Sequence, residues 1–209
     1  MRGGASASGG RTVAERYDYT HAEQKERVLR ILISVGIWVV SVAVVVLAAW
    51  LIIRLSIEKT TVVDASMEPT LTEGDSIVID TVTYKIRSPR RNEVIVFRQG
   101  DSEHSFYNIK RVIGLPGEKV RISEGVVYIN GSALPEFANV ETMILPGLAN
   151  YEITLGEDEY FVLGDSRNNS EDSRYATIGN VKKSDIIGRA WIRTNKFGFI
   201  NSLNKKSDE

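Results

Sequence analysis

The chain has 209 residues, which is enough for one domain with additional segments or for two small domains. Its formal net charge of -1 gives no basic excess for binding nucleic acid, so we expect no nucleic-acid partner. Cysteine is absent, which excludes disulfides, thiolate zinc sites and cysteine nucleophiles, and only His21 and His104 could serve a Ser-His-Asp mechanism.

The first predicted element is a membrane-spanning helix at residues 31–53. This segment holds 23 uncharged residues, of which 20 are apolar. At 1.5 Å per residue it would extend about 35 Å, which is enough to cross the hydrocarbon core of a bilayer. A buried core helix would need a larger protein around it, and a cleavable signal peptide would have a shorter apolar region. We therefore expect an uncleaved anchor in a lipid bilayer.

Basic residues flank this segment unequally. Residues 1–30 contain six, three of them next to the apolar segment, whereas the first residues beyond it offer only Arg54 and Lys59. We expect a single-pass protein of the cell membrane, and the positive-inside rule predicts that its N-terminus is cytoplasmic. Residues 1–30 would form a cytoplasmic tail that is partly disordered, at residues 1–11, and residues 54–209 would form an extracytoplasmic domain.

Residues 54–209 are predicted to form mostly β-strands. Short runs of β-branched residues recur between turn residues. The predicted strands are 76–80, 93–97, 119–122, 126–130, 159–163 and 186–195, and residues 133–156 are predicted to be a loop. The fold class is therefore mainly β, with a barrel-like antiparallel domain that follows one N-terminal transmembrane helix.

The first of three polar clusters is Asp64-Ala65-Ser66-Met67-Glu68-Pro69-Thr70-Leu71, about ten residues beyond the apolar segment. Because proline restricts the residue before it, Ser66 lies where the chain leaves regular structure. An isolated serine in such a place is usually a turn residue that caps its own backbone.

The second cluster is Lys110 and Arg111 within an otherwise apolar stretch. Neighbouring residues of a strand face opposite ways, so one of the two is predicted to point inward if one face is buried. Arginine stays protonated in proteins, and only Lys110 could therefore act as a base. The alternative is a surface pair whose aliphatic stems cover apolar neighbours.

The third cluster is the polar segment 164–175, directly after a predicted strand. A calcium-binding loop is one interpretation, but Arg167 occupies its third position and the sixth position has no glycine. We therefore expect no metal and no cofactor.

Together the three clusters resemble bacterial type I signal peptidases, which are membrane-anchored serine proteases that remove signal peptides from exported proteins. The resemblance covers nearly the whole chain, and its motifs follow one another in the family's order. They are the anchor, residues 66–70, residues 74–79, residues 110–118, residues 164–174 and residues 188–190. The single anchor and the short segment between the second and third clusters resemble the compact members of Gram-positive type.

The resemblance implies that Ser66 is the nucleophile and Lys110 the general base. This is physically coherent, because desolvation favours the neutral form of a lysine, which can then take the serine proton. The resemblance also implies that Ser170 hydrogen-bonds and orients the lysine, and that Asp172 and Arg174 form a supporting ion pair.

Further roles follow from the same resemblance. Met67 is expected to pack beside the site, Asp165 and Arg167 are expected to be structural, and the backbone N–H of Ser66 is the natural oxyanion donor. Asp64 departs from the family, in which serine or glycine is common at this position. An ionised aspartate would repel an oxyanion, so either its side chain points away or the local alignment shifts by one residue.

Lysine rather than histidine is expected as the base. Eukaryotic relatives use histidine at the position of the bacterial lysine. Here His21 would be cytoplasmic, and His104 falls six residues before the base position.

The expected function is cleavage of signal peptides from exported preproteins after small residues. Preproteins would be the substrates, and the secretion translocon is a further candidate partner. Two alternatives stay open. One is a non-catalytic, membrane-anchored binding or assembly module. The other is a different Ser-Lys protease, such as the self-cleaving repressors, whose DNA-binding N-terminus is replaced here by an apolar segment.

Overall fold

The structure is a computed structural model and describes residues 13–98, 107–135 and 140–200. The chain divides into two compact units between Arg54 and Leu55. In chain order, the helices and strands are α1 (Val13–Ser56), β1 (Ile57–Thr61), β2 (Ser76–Asp80), α2 (Thr83–Ile86), β3 (Val94–Phe97), β4 (Asn108–Gly114), β5 (Lys119–Ser123), β6 (Val126–Ile129), β7 (Ser132–Ala133), β8 (Ile153–Thr154), β9 (Glu159–Leu163), β10 (Val181–Lys182), β11 (Ile186–Arg193) and β12 (Gly198–Phe199).

Helix α1 contains the predicted apolar segment. Within it, Gln24–Leu51 is 28 residues long, and its most apolar 18 residues have a mean hydropathy of 2.8, so the segment is long and apolar enough to cross a membrane. The helix begins at Val13, so residues 13–30 of the predicted tail are helical. These residues are rich in glutamate, lysine and arginine, which favour helices, and Glu26 pairs with Arg30 one turn later at 3.1 Å. The stretch predicted to be disordered, residues 1–11, lies outside the described residues.

Strands β1–β12 form two antiparallel sheets. The larger sheet has the order β1-β2-β11-β3-β4-β9-β10, and β12 pairs with the C-terminal end of β11. The smaller sheet has the order β7-β6-β5-β8. The predicted mainly β, antiparallel fold with one N-terminal apolar helix is therefore confirmed.

The larger sheet does not close into a barrel. Strands β1 and β10 end its strand order, and no ladder joins them in the described part of the chain. Register shifts lie in β11 and between β4 and β9, where an extra residue bends a strand.

All six predicted strands are present, with ends that differ from prediction by at most two residues. Strand β1 was not predicted, because its residues are mostly polar, and it pairs with β2 over its whole length. The predicted loop over residues 133–156 contains a 3-10 turn at Gly147–Asn150 and the two-residue strand β8. Such short elements depend on a partner strand more than on their own composition.

Strands β3 and β4 lie in the interior of the larger sheet, and both of their faces are buried. On one face, Val94, Val96 and Ile109 pack in a cluster with Met67. On the other face, Ile95 packs in a second apolar cluster. All four residues of β3 are buried, as are six of the seven residues of β4. A charged side chain in the middle of β4 is therefore largely shielded from bulk water on both sides.

Candidate active site

Ser66 lies in the loop between β1 and β2. Two backbone hydrogen bonds close the base of this loop, from Val62 N–H to the Asp75 carbonyl at 2.8 Å and from Gly74 N–H to the Val62 carbonyl at 2.9 Å. Met67 is fully buried in the adjoining apolar cluster, beside Ser66 in the chain. The loop is therefore fixed both at its base and at the residue that follows the serine.

Lys110 lies in β4, and its ammonium Nζ is 2.7 Å from Ser66 Oγ. Lys110 is only 2% exposed, and Arg111 beside it is 1% exposed. The sequence predicted that only one of these two residues would point into the interior, whereas both do. Because β4 is covered on both faces, alternation sends both side chains into the interior, in opposite directions.

Asp64 also faces the serine. Ser66 Oγ donates a hydrogen bond to Asp64 Oδ1 at 2.6 Å, and the Ser66 backbone N–H donates to the same oxygen at 3.0 Å. Asp64 Oδ2 is 3.9 Å from Lys110 Nζ. Of the two alternatives for Asp64, the one in which its side chain points away is therefore wrong. An aspartate readily accepts the backbone N–H two residues later, and this local turn directs the carboxylate at Ser66.

Burial and charge act in opposite directions on Lys110. Burial lowers the pKa of the Lys110 ammonium, and this effect exceeds the rise caused by the carboxylates of Asp64, Asp172 and Glu171. Partial burial raises the pKa of Asp64, but the hydrogen bonds from Ser66 and the charge of Lys110 together bring it below the ordinary value. The site thus combines a lysine that gives up its proton more readily than usual with an ionised aspartate.

A second buried network joins all three sequence clusters. Arg111 donates through Nε and Nη2 to the two carboxylate oxygens of Asp165, at 2.7 and 2.5 Å. Thr70 Oγ1 donates to Asp165 Oδ2 at 2.5 Å. Arg111 Nη1 also donates to the carbonyl of Asn92 at 2.8 Å. This network ties the Ser66 loop and the loop after β9 to strand β4.

Asp172 and Arg174 form a bidentate ion pair, with Nε–Oδ1 and Nη2–Oδ2 distances of 2.8 and 2.9 Å. Asp172 Oδ2 also accepts the backbone N–H of Gly164 at 3.1 Å, and Arg174 Nη2 donates to the carbonyl of Arg167 at 2.5 Å. All four residues are buried. The ion pair thus braces the loop after β9 from within.

Ser170 differs from the sequence-based expectation. Its Oγ is buried and has no hydrogen-bond partner among the residues that the structure describes, so the expected bond to Lys110 is not formed here. The Lys110 ammonium is directed instead at Ser66 and lies near Asp64. The Ser170 hydroxyl instead lies against Gly164, at the start of the loop after β9, so close that a Cβ added to Gly164 would overlap Ser170 Oγ.

Gly164 also lets the two loops approach each other. A Cβ at this position would lie 2.5 Å from the carbonyl oxygen of Ser66, so any larger residue would push the loops apart. The same carbonyl accepts the backbone N–H of Ser166 at 3.0 Å. The loop after β9 therefore touches the residue that carries the hydroxyl.

Sequence reasoning gave no role to Thr70 or Arg111, although both lie inside recognised motifs. A buried arginine needs a carboxylate partner, so an ion pair of Arg111 with an acidic residue could have been predicted from its place in an apolar stretch. Linear spacing did not identify which acidic residue would supply it. The side chain of His21 and the whole of His104 lie outside what the structure describes. Within the described ranges, no group of three or more histidine, aspartate or glutamate side chains is arranged to hold a metal ion.

The distance between Lys110 Nζ and Ser66 Oγ indicates which type of reaction the site could catalyse. A lysine nitrogen lies within hydrogen-bond distance of a buried serine oxygen, which is the arrangement of a nucleophile and its base. The three motifs converge on this pair although they are far apart in the chain. The arrangement is suited to acyl transfer at a carbonyl carbon.

Comparisons with known proteins identify the family of the chain. The family model described as "Signal peptidase, peptidase S26" matches residues 35–194. The chain is 42% identical over 134 residues to "Probable signal peptidase I-2" of Synechocystis sp., covering 62% of this chain and 59% of that protein. It is 38% identical over 138 residues to "Signal peptidase I" of Leptolyngbya laminosa, covering 61% and 64%. It is 27% identical over 171 residues to "Signal peptidase IB" of Staphylococcus aureus, covering 75% and 87%.

Among solved structures, the chain is similar to a crystal structure of a signal peptidase I from Enterococcus faecalis. The two are 34% identical, with a TM-score of 0.39, over 48% of this chain and 95% of that one. The chain spans less than two thirds of the length of the Synechocystis and Leptolyngbya relatives. Because the family model matches well over half of the sequence, the chain belongs to the signal peptidase family, peptidase S26.

Proposed function

We propose that the chain acts as a membrane-bound serine endopeptidase that removes N-terminal signal peptides from exported preproteins, cleaving after small residues. The observation that carries the proposal is the 2.7 Å distance between Lys110 Nζ and Ser66 Oγ in a buried site. Family membership supports the choice of substrate, since the relatives named above are signal peptidases.

In the proposed reaction, neutral Lys110 takes the proton of the Ser66 hydroxyl while Oγ attacks the scissile carbonyl carbon. The carbonyl oxygen becomes an oxyanion, for which the Ser66 backbone N–H is the proposed donor. When the tetrahedral intermediate collapses, Lys110 returns the proton to the leaving amine. Lys110 then activates a water molecule, which hydrolyses the acyl ester on Ser66 and restores the enzyme.

The environment of Lys110 supports its role as the base. A lysine at its ordinary pKa of 10.5 is almost fully charged at neutral pH and holds no lone pair for a proton. Burial lowers the pKa of Lys110, which increases the neutral fraction at a given pH. The same burial keeps bulk water away from the proton that moves between the two residues.

The remaining residues of the three clusters have supporting roles in this proposal. The Thr70–Arg111–Asp165 network and the Asp172–Arg174 ion pair fix the loops that meet at Ser66. Correct relative placement of reacting groups accounts for a large part of enzymatic rate acceleration, so rigid loops serve the chemistry directly.

We also propose that the chain is anchored in the cell membrane by the apolar part of α1, with the N-terminus cytoplasmic and residues 54–209 extracytoplasmic as the protease domain. The proposed partners are preproteins, the lipid bilayer and the secretion translocon. Protease treatment of intact cells tests the orientation. Digestion of a tag at the C-terminus with protection of one at the N-terminus is expected, and the opposite pattern would reverse the orientation.

The deciding experiment is processing of a defined preprotein by the purified full-length chain in detergent. Ser66→Ala and Lys110→Ala are each expected to abolish cleavage. Ser132→Ala and Lys119→Ala are matched controls, because both residues are exposed and lie in the smaller sheet, and they should cleave normally. Cleavage at the unchanged rate by Lys110→Ala would reject the proposed base. A wild-type chain that binds preproteins without cleaving them would favour the non-catalytic binding module.

A further inference from the structure

We propose that Asp64 is a positioning residue that holds the Ser66–Lys110 pair in a protonated resting form and thereby sets the pH at which the pair becomes reactive. This inference rests on the proposed peptidase function. It concerns the one position of the Ser66 motif at which the chain carries an acid instead of the small residue that the family resemblance led us to expect.

The hydrogen bonds show which group the serine proton faces. An ionised carboxylate can only accept, so the 2.6 Å contact between Asp64 and Ser66 Oγ uses the single proton of the serine hydroxyl. That proton is then unavailable to Lys110, and the 2.7 Å contact between Lys110 Nζ and Ser66 Oγ must be donated by the lysine. Either a neutral amine or an ammonium could make this donation, but the Asp64 carboxylate, with Oδ2 3.9 Å from Nζ, favours the ammonium. The proposed resting form is therefore an ammonium beside a hydroxyl that faces a carboxylate.

Three changes must precede attack from this state. Lys110 must lose a proton to water, and the Ser66 hydroxyl must turn its proton from Asp64 to the neutral Nζ. The Ser66 backbone N–H must also be released, since it donates to Asp64 Oδ1 at 3.0 Å and is the proposed oxyanion donor. The Asp64 side chain is 53% exposed, so its carboxylate has room to turn into solvent when a substrate carbonyl arrives.

Other charges near Lys110 are less able to play this part. Asp172 and Glu171, from the loop after β9, also favour the ammonium, but their effect on the pKa of Lys110 is smaller than that of Asp64. Asp172 is already paired with Arg174, and Glu171 accepts a hydrogen bond from an exposed threonine.

The strands around Lys110 add no competing charge. On the neighbouring strand β3, the residue opposite Lys110 is apolar, and Arg111 is turned to the other face of β4 and paired with Asp165. Among the charged neighbours of Lys110, Asp64 therefore has the largest effect on whether the lysine is protonated.

The test is the pH dependence of kcat/KM for a peptide that spans a signal-peptide cleavage site, with the full-length chain in detergent micelles. Asp64→Asn and Asp64→Ser both remove the charge. We expect the midpoint of the acid limb to fall by about one pH unit in each, because a neutral neighbour no longer stabilises the ammonium. Below the wild-type midpoint, activity should rise up to about tenfold.

A matched control is Glu152→Gln. Glu152 is likewise about half exposed (47%) and pairs with a lysine, Lys119, at 2.9 Å, but it lies beside the smaller sheet. Its acid limb should not move. An unchanged midpoint in both Asp64 variants, or an equal shift in the control, would overturn the inference. Ser66→Ala separates the two proposals: if it retained activity, the proposed function itself would fail.

Discussion

Lys110 Nζ lies 2.7 Å from Ser66 Oγ, although 44 positions separate the two residues in the chain. One comes from an interior strand of the larger sheet and the other from a loop that is closed at its base by backbone hydrogen bonds. Neither residue is exposed to water, so their contact is set by the packing of the domain. Changes that alter this packing should therefore affect activity even where they leave both residues in place.

Gly164→Ala is expected to lower kcat by about 100-fold, the size of loss that a displacement of reacting groups by about 1 Å can produce. The added Cβ would overlap Ser170 Oγ and press on the carbonyl of Ser66. Preprotein cleavage and thermal unfolding, measured side by side, would check this. Gly156→Ala is the control, because its Cβ would meet only the side chain of Glu159, at 3.3 Å, and activity close to wild type is expected. Equal activity of the two variants would contradict the prediction.

Arg111→Met or Asp165→Asn alone should lower the free energy of unfolding by about 3–5 kcal/mol, because each leaves a buried group without its partner. Denaturant unfolding of the full chain in detergent would measure the loss. Lys119→Met removes an exposed pair with Glu152 and should cost less than about 1 kcal/mol. If the buried and exposed variants were equally stable, the network would not hold the loops as proposed.

Lys110→Met should remove activity and raise stability at neutral pH by about 1 kcal/mol, because a buried charge is replaced by an apolar side chain of similar length. The pKa of Lys110 is lowered in the folded chain, so between that pKa and the ordinary value of 10.5 the unfolded chain binds more protons. Wild-type stability should therefore rise with pH through this window. The advantage of the variant should be largest below it and vanish above about pH 10.5. Unfolding curves of both proteins at several pH values would check this. A stability advantage of the variant that did not depend on pH would contradict the prediction.

Ser170→Ala should leave the free energy of unfolding unchanged or slightly raised, because its buried hydroxyl has no hydrogen-bond partner in the described part of the chain. During the reaction the Ser66 proton turns towards Lys110, and the Ser170 hydroxyl is expected to orient Lys110 at that stage. Loss of the Ser170 hydroxyl should therefore lower kcat about tenfold, within the range of a lost hydrogen bond. Parallel kinetics and unfolding separate the two effects. A variant that lost stability and activity together would point to a structural role only.

The apolar helix and the six main strands could be predicted from the amino-acid sequence, and the family resemblance of its motifs singled out Ser66 and Lys110. Hydropathy over a long window, short β-branched runs and compact motifs are properties of neighbouring residues, so they can be read without knowing the fold. The same local patterns did not reveal the start of α1 at Val13, the polar strand β1 or the open ends of the larger sheet.

The partners of the side chains within the site could not be predicted without the fold. It paired Arg111 with Asp165, 54 positions away, directed the Asp64 carboxylate at Ser66, and left the Ser170 hydroxyl without the expected bond to the lysine. Each of these outcomes depends on strand order, on register and on the burial of both faces of β4. A buried charge takes the partner that the packed sheets and loops bring within hydrogen-bond distance, and that distance is not encoded in the spacing of residues along the chain.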